Sequence, residues 1–357
     1  MPAPAFLLPS HPLDPRRIDP QFVREARLLR DLGGEHHLVD HDALLAGDAR
    51  AAVDRVPAGR GPFWYRGWML PSDRYAAFAA ALAERGGHLL TSPPGYASAH
   101  ELPGWYGVFE GATPQSVWLP LAGAGSGSGA AGGGGEASDG ADGSSGADGS
   151  GGGDGAGIAP PGPERLAAAV ARLGGRGPAI VKDYVKSRKD EWGEACFVPE
   201  LADLPAVARV VARFVELQGP YLAGGVVLRR FEEFTRVVWD ADDAPSGGSG
   251  RLRAQDPGLP DDGRGGRRRA VESRVWWLDG EPVLVGPHPD LPGCPSAPDL
   301  SGVRPPVRTL GCRFVTTDLA ERADGSGWRV VEVGDGQVSE LPRGIDPSRL
   351  LIALLAA

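Results

Sequence analysis

Cysteine is scarce in this chain: 357 residues carry three, Cys196, Cys294 and Cys312, an odd number without metal-ligand spacing. That excludes a disulfide framework or a zinc site as the organising feature and points to a reducing compartment. Positive charge is also in deficit. Lys plus Arg number 37 against 46 for Asp plus Glu, a net charge of −9, which argues against nucleic acid or an anionic membrane as a broad partner. Long apolar runs are missing. The opening Met-Pro-Ala-Pro-Ala-Phe-Leu-Leu-Pro-Ser has no charged leader region, and no later stretch approaches a membrane span. The expectation is a soluble, cytoplasmic protein. No Ser/His/Asp or Cys/His constellation stands out either.

What the chain has in abundance is glycine, concentrated in one tract. Residues 122–163 are Gly, Ser, Ala and Asp with almost no large apolar side chain, a composition that cannot offset the entropy of ordering. It lacks the strand and helix flanks of a phosphate-binding loop. The chain is therefore expected to divide into a small α/β domain over 1–121, this low-complexity tract over 122–163, and a second domain over 164–357. The length is ample for two or three cores. A second polar tract, 241–270, carries Arg264, Arg267, Arg268 and Arg269 and reads as an exposed insertion between strands.

In the first domain strand and helix alternate. Ala5–Leu8 reads as a strand, and Asp19-Pro20 opens a helix with Phe22, Ala26 and Leu29 on one face. Phe63–Trp68 is extended, and Ser72 starts a helix that turns Tyr75, Phe78, Ala79 and Leu82 inward. This rhythm favours a mostly parallel sheet. After the tract the rhythm changes. Ala179–Lys186 and Ala195–Val198 are strand-like around a polar loop at 187–194, Asp203 caps a helix burying Val207, Val210, Val211 and Phe214, and Gly225–Phe231 extends again. Glu272–Trp277 and Pro282–Val285 are joined through Asp279-Gly280, a hairpin dipeptide. A short helix over 347–355 closes the chain with Leu350, Leu351 and Leu354 inward. This half is α+β.

Two carboxylates give the chemical lead. Asp318 and Glu332 flank the turn stretch Ala323–Gly327, each seven residues from Gly325, so a hairpin centred there sets them opposite one another. Opposed anions call for water, a shared proton or a cation between them, and oxygen-only donors suit a hard ion such as Mg²⁺. A solvated hairpin face is the plain alternative. Lys182 lies in an apolar strand pattern, where an anion would offset its burial, and alternation sets Lys186 on the same face. Snorkelling lysines on an exposed edge would read the same way. Glu272 and Arg274 also share a face; together they could grip a phosphate or form an ordinary ion pair. Arg229 and Arg230 point to opposite faces, so at most one reaches a given cleft, and the order of elements given next favours Arg230. Arg66, in Trp64-Tyr65-Arg66-Gly67-Trp68, could greet a substrate carboxylate or stack on tryptophan at the surface.

Taken in order, a lysine strand, a polar flap, a helix, a strand ending Arg229-Arg230-Phe231, then Glu272-Ser273-Arg274 and a strand pair bearing Asp318 and Glu332 resemble the ATP-grasp superfamily. The segments Lys182–Ser187 and Glu332-Val333-Gly334-Asp335-Gly336-Gln337 are similar to elements of its R-two-K clade. The resemblance covers about 163–357, with 5–121 similar to the small α/β domain that precedes ATP-grasp domains. It implies ATP held between two α+β subdomains. Lys182, assisted by Lys186, would lie on the phosphates, with the 187–194 loop as a flap and the Phe231 region as an adenine-side hinge. Arg274 would face the transferred phosphate, and Asp318 with Glu332 would hold Mg²⁺. One position departs from the pattern: where many ATP-grasp enzymes carry Asn two residues after the metal-binding Glu, this chain has Gly334. Asp335 could compensate only through a local bulge.

The activity implied is an ATP- and Mg²⁺-dependent carboxylate–amine ligase acting through an acyl phosphate on small-molecule or peptide substrates, with homodimerisation common among such ligases. Kinase-like phosphoryl transfer to a hydroxyl and a non-catalytic ATP-binding sensor are the alternatives.

Overall fold

The computed structural model describes residues 3–124, 158–239, 252–254, 267–289, 297–341 and 345–357. The chain forms two compact units, one of Met1–Ser116 with Arg229–Ala357 and one of Val117–Leu228. These cut across the linear division expected at 122–163. The physical reason lies in the apolar faces: Phe6 and Trp64 from the early strands share one core with Trp276, Phe314, Leu350, Leu351 and Leu354 from the last third. Of the low-complexity tract, residues 125–157 lie outside the described residues.

The first unit begins with β1 (Ala5–His11), β2 (Asp14–Ile18), β3 (His36–Val39) and β4 (Phe63–Tyr65). β1 pairs in parallel with β3 and β4 and antiparallel with β2. Its first six residues are all buried, as expected of a strand covered on both faces. The Asp19 side chain accepts from the Gln21 N–H and Pro20 opens the turn, after which the helix Val23–Asp31 buries Ala26 and Leu29. The helix Ser72–Glu84 buries Tyr75, Phe78, Ala81 and Leu82, with Ala79 only half-buried.

The second unit is a four-stranded sheet in the order β5-β8-β6-β7, from β5 (Ser116–Pro120), β6 (Ala179–Lys182), β7 (Phe197–Val198) and β8 (Gly225–Arg230). The helices Pro163–Arg172 and Leu204–Gln218 share its core, and the latter buries Val207, Val210, Val211 and Phe214 as the periodicity requires. The strand expected to run through Lys186 stops at Lys182. Asp183 stops it: one of its carboxylate oxygens accepts from the N–H groups of both Val185 and Lys186, and its own N–H donates to the Lys186 carbonyl, closing a turn in place of a ladder. Ala195 and Cys196, expected to begin the return strand, instead end a single π-helical turn over Trp192–Cys196, leaving β7 two residues long.

The chain then returns to the first unit. β9 (Arg236–Trp239) pairs antiparallel with β10 (Leu252–Ala254) and β11 (Arg267–Ala270), so part of the expected exposed insertion at 241–270 is strand; Arg264 lies outside the described residues. β12 (Glu272–Leu278), β13 (Glu281–Pro287), β14 (Phe314–Glu321) and β15 (Trp328–Asp335) form an antiparallel sheet in the order β13-β12-β14-β15. Asp279 and Gly280 turn the first hairpin with φ of 50° and 81°, the left-handed pair such a turn needs. The closing helix Ser348–Ala356 buries Leu350, Leu351 and Leu354, and its Leu354 carbonyl accepts from Trp64 Nε1 at 2.9 Å.

Candidate active site

Three charged side chains line up across three strands of the last sheet. Arg274 on β12 stands opposite Asp318 on β14, and Asp318 stands opposite Glu332 on β15. Directly opposed residues share a face, so guanidinium and both carboxylates lie in one row. The pairing of Asp318 with Glu332 is the one expected, reached by a different path. Near the turn the register pairs Leu319 with Val330, and a bulge then leaves Val331 unpaired. Without that extra residue Val331 would face Asp318 and Glu332 would point to the opposite side.

The row is strongly coupled. Arg274 grips Asp318 with two parallel bonds, Nε to Oδ1 at 2.7 Å and Nη2 to Oδ2 at 2.8 Å. Asp318 is buried and Arg274 half-buried, whereas Glu332 is exposed. Burial alone would favour the neutral acid at Asp318, but Arg274, followed by His288, outweighs it and holds the carboxyl far below the usual range. Burial likewise opposes the charge on Arg274, and Asp318 more than restores it. His288 sits 3.4 Å from Asp318 and 3.0 Å from Arg274, and its pKa is raised: burial lowers it, and the hydrogen bond to Asp318 overrides that. Sequence reasoning missed His288. An unbulged two-residue hairpin would set Val285 opposite Arg274; a bulge between Trp276 and Trp277 sets Gly286 there, and so brings residue 288 to the same face. Glu272, the residue before Ser273 on β12, shares that face, and its carbonyl accepts from the His288 N–H.

Lys182 ends β6 in the second unit, buried, with Nζ 3.3 Å from the Val185 carbonyl. Lys186 is exposed beyond the Asp183 turn, so the alternation that put both lysines on one strand face does not hold. Arg230 and Phe231 are half-buried at the end of β8, with the Arg230 N–H donating to the Gln115 carbonyl. It is Arg229 that is fully enclosed: it bonds Ser116, the Val331 carbonyl and Thr113 and lies 5.4 Å over the Trp105 ring. Burial lowers its pKa to about 10.

Two expectations need correction. Arg66 is buried, bonds Glu25 through Nε and Nη2 at 2.6 and 3.1 Å, and directs Nη1 at the carbonyls of Gly336, Gln337 and Ser339. A guanidinium so committed is a structural tie, not a receptor for a substrate carboxylate. Asp335 is fully buried on the face opposite Glu332, accepting from the backbone and side-chain N–H groups of Gln337, with Cys312 Sγ 3.5 Å away. Burial pushes its pKa up to about 7, against the hydrogen bonds from Gln337. No bulge turns it toward Glu332, so it is not a third metal ligand.

Among the described residues no group of three or more His, Cys, Asp or Glu side chains could hold a metal. Mg²⁺ asks for less: one or two carboxylates, completed by water and phosphate oxygens. Glu332 and Asp318 fit that demand, with Asp318 shared with Arg274, and Gly334 contributes no side chain.

A model of the ATP-grasp domain, R-two-K clade family 3, matches residues 172–354. The chain belongs to this family. With ATP-grasp membership comes the enzyme class, an ATP-dependent ligase of the ATP-grasp type. Among solved structures, a RimK domain ATP-grasp protein from Sphaerobacter thermophilus DSM 20745 is 14% identical over 99% of this chain and 100% of its own, with a TM-score of 0.50, and shares the fold. The ATP-grasp ligase PsnB, solved with a minimal precursor, Mg and ADP, is 14% identical over 99% of this chain and 98% of its own, with a TM-score of 0.48. D-alanyl-alanine synthetase A from Vibrio cholerae O1 biovar eltor str. N16961 is 9% identical over 100% and 98%, at 0.48. No curated protein matches the chain. No described helix of this ATP-grasp protein is long and apolar enough to cross a membrane.

Proposed function

We propose that this ATP-grasp protein joins a carboxylate to an amine, using ATP and Mg²⁺ and passing through an acyl phosphate. The observation that carries the reading is the row Arg274–Asp318–Glu332, a guanidinium and two facing carboxylates fixed on one sheet face. Phosphoryl transfer needs neutralisation of spreading charge and accurate positioning, with no protein nucleophile.

In the first step an oxygen of the substrate carboxylate bonds to the γ-phosphorus, and the bond to the β–γ bridging oxygen breaks with its electrons leaving on ADP. In the second the amine nitrogen bonds to the acyl carbon, the carbon–oxygen bond to phosphate breaks, inorganic phosphate departs and the nitrogen loses its proton to water. Arg274 divides its guanidinium between Asp318 and the transferred group. Lys182, Lys186, Arg230, Phe231 and Glu272 are the nucleotide contacts in this reading. Glu332 and Asp318 hold Mg²⁺, which when bound neutralises phosphate oxygens. Small molecules or peptides are the substrates.

The test compares Lys182→Ala and Glu332→Gln with the unaltered chain for Mg-ATP binding by calorimetry, alongside product analysis with amine and carboxylate pools. The reading expects both variants to melt normally and lose nucleotide affinity, and the unaltered chain to yield ADP with an amide. A stable phosphorylated acceptor would replace it with kinase-like transfer, and tight binding without ADP with a sensor.

A further inference from the structure

The segment Val338–Leu341 joins the reactive row to a cavity. On the row side, the Glu340 carbonyl accepts from Arg274 Nη1 at 3.3 Å, and Ser339 Oγ lies 2.7 Å from Thr316 Oγ1, two residues from Asp318 on β14. On the other side the same segment walls a cavity of about 350 Å³. Its remaining walls include Phe22, Arg24, Trp68 and the buried Glu25–Arg66 pair, all in the first unit.

The chemistry of that lining is specific. The floor is neutral, because Arg66 and Glu25 satisfy one another in a two-pronged bond. One wall is aromatic: Phe22 and Trp68 meet edge to face at 5.5 Å, and Trp68 Nε1 is fixed by Asp19 at 3.0 Å while the residue stays 43% exposed. The rim bears one exposed cation, Arg24, steadied by the Ile345 carbonyl at 3.3 Å, and one exposed anion, Glu340. One positive and one negative group beside an aromatic wall suit a zwitterion with an apolar side chain. The volume lies at the small end of ligand sites, enough for one or two amino-acid residues.

We propose that this cavity is the amine-substrate site and takes an α-amino acid or a very short peptide with an apolar or aromatic side chain. Its carboxylate meets Arg24, its ammonium meets Glu340 and its side chain lies against Phe22 and Trp68. The assignment rests on the ligase reading above, which requires an amine beside the row that handles phosphate.

The experiment titrates L-phenylalanine, L-leucine and the Phe–Leu dipeptide into the full chain without nucleotide, read by calorimetry and tryptophan fluorescence. 3-Phenylpropionate, lacking the amine, and phenethylamine, lacking the carboxylate, are the controls. At least one zwitterion binds, and each control binds about tenfold more weakly, the loss expected for one charge-assisted contact. Arg24→Met abolishes the preference for L-phenylalanine over phenethylamine, Glu340→Gln abolishes it over 3-phenylpropionate, and Trp68→Ala weakens all three with normal melting. No binding by any of the panel, or binding indifferent to the three substitutions, overturns the assignment. Lys182→Ala separates the two readings: it removes ATP binding but leaves amino-acid binding intact, so a cavity that fails while ATP still binds sinks this inference alone.

Discussion

Arg229 Nη1 donates to the carbonyl oxygen of Val331 at 2.5 Å, so a buried guanidinium holds the residue that the bulge in the β14–β15 ladder leaves unpaired. The same side chain reaches Ser116 and Thr113, which a lysine cannot do at once. Arg229→Lys is expected to lose about 2 kcal/mol of stability by stranding buried acceptors, and to weaken Mg-ATP binding by loosening the bulge that presents Glu332. Denaturant midpoints and calorimetry measure the two effects; an unchanged midpoint would show that the bulge holds without the clamp.

Asp318→Asn leaves the half-buried Arg274 beside a neutral partner in place of the buried carboxylate. Breaking a buried pair from one side costs about 3–5 kcal/mol. The variant should melt well below the parent and produce no ADP, whereas replacing the exposed Glu332 by Gln should scarcely move the melt. Equal melting losses in the two would contradict the difference in burial.

Asp335 gives a pH dependence with a definite sign. Folded, it holds its proton up to about pH 7, while an unfolded aspartate releases it near pH ~4. Between those values the folded state binds more protons than the unfolded one, so stability declines as pH rises. Asp335→Asn keeps an acceptor for Gln337 and removes the buried charge. It should raise the unfolding free energy at pH 8, by a few kcal/mol at most, and leave it unchanged at pH 4, as denaturant titrations at the two pH values would measure. A gain of the same size at both would mean that the carboxylate is not the cause.

Gly334 shares the face of Glu332 and has negative φ, so a side chain is admissible there. A Cβ would meet Thr316 Oγ1 at 3.1 Å, a rotatable hydroxyl that can yield. Gly334→Asn adds an oxygen donor beside Glu332 and should lower the Mg²⁺ concentration needed for ATP binding several-fold. A Mg²⁺ titration that does not shift would count against a metal at this edge.

Arg66→Ala strands Glu25, which is buried with it. A loss of about 3–5 kcal/mol is expected. Replacing both residues by apolar ones of similar volume should recover most of it, as a purely structural tie predicts.

Much of this was legible where the physics is local. Asp279-Gly280 specifies its hairpin because the turn needs two left-handed residues in succession, and Asp203 and Asp19 cap because their oxygens reach N–H groups within the same turn. The facing of Asp318 and Glu332 was also readable, although by compensation, since a tighter turn and a bulge together restore the register that one symmetric turn would give. Illegible features depend on what lies far along the chain. Arg66 is claimed by carbonyls about 270 residues away, and a buried tie there reads like a cleft residue until its partners are known. His288 was hidden by a bulge in the intervening strand, and Lys186 by the capture of two N–H groups by Asp183, an alternative that competes with any strand pattern.

The shared core of Phe6, Trp64, Trp276 and Phe314 has a bearing on how the molecule comes into being. A ribosome delivers the early strands long before β14 and the closing helix that cover them, while Val117–Leu228 is complete as soon as its last residue is free. The inserted unit can thus mature on the nascent chain while Trp64 still waits, uncovered, for β14 and the helix Ser348–Ala356. Protease digestion of stalled chains of increasing length should reveal protection of the inserted unit first and of the segment around Trp64 only once the helix Ser348–Ala356 has emerged.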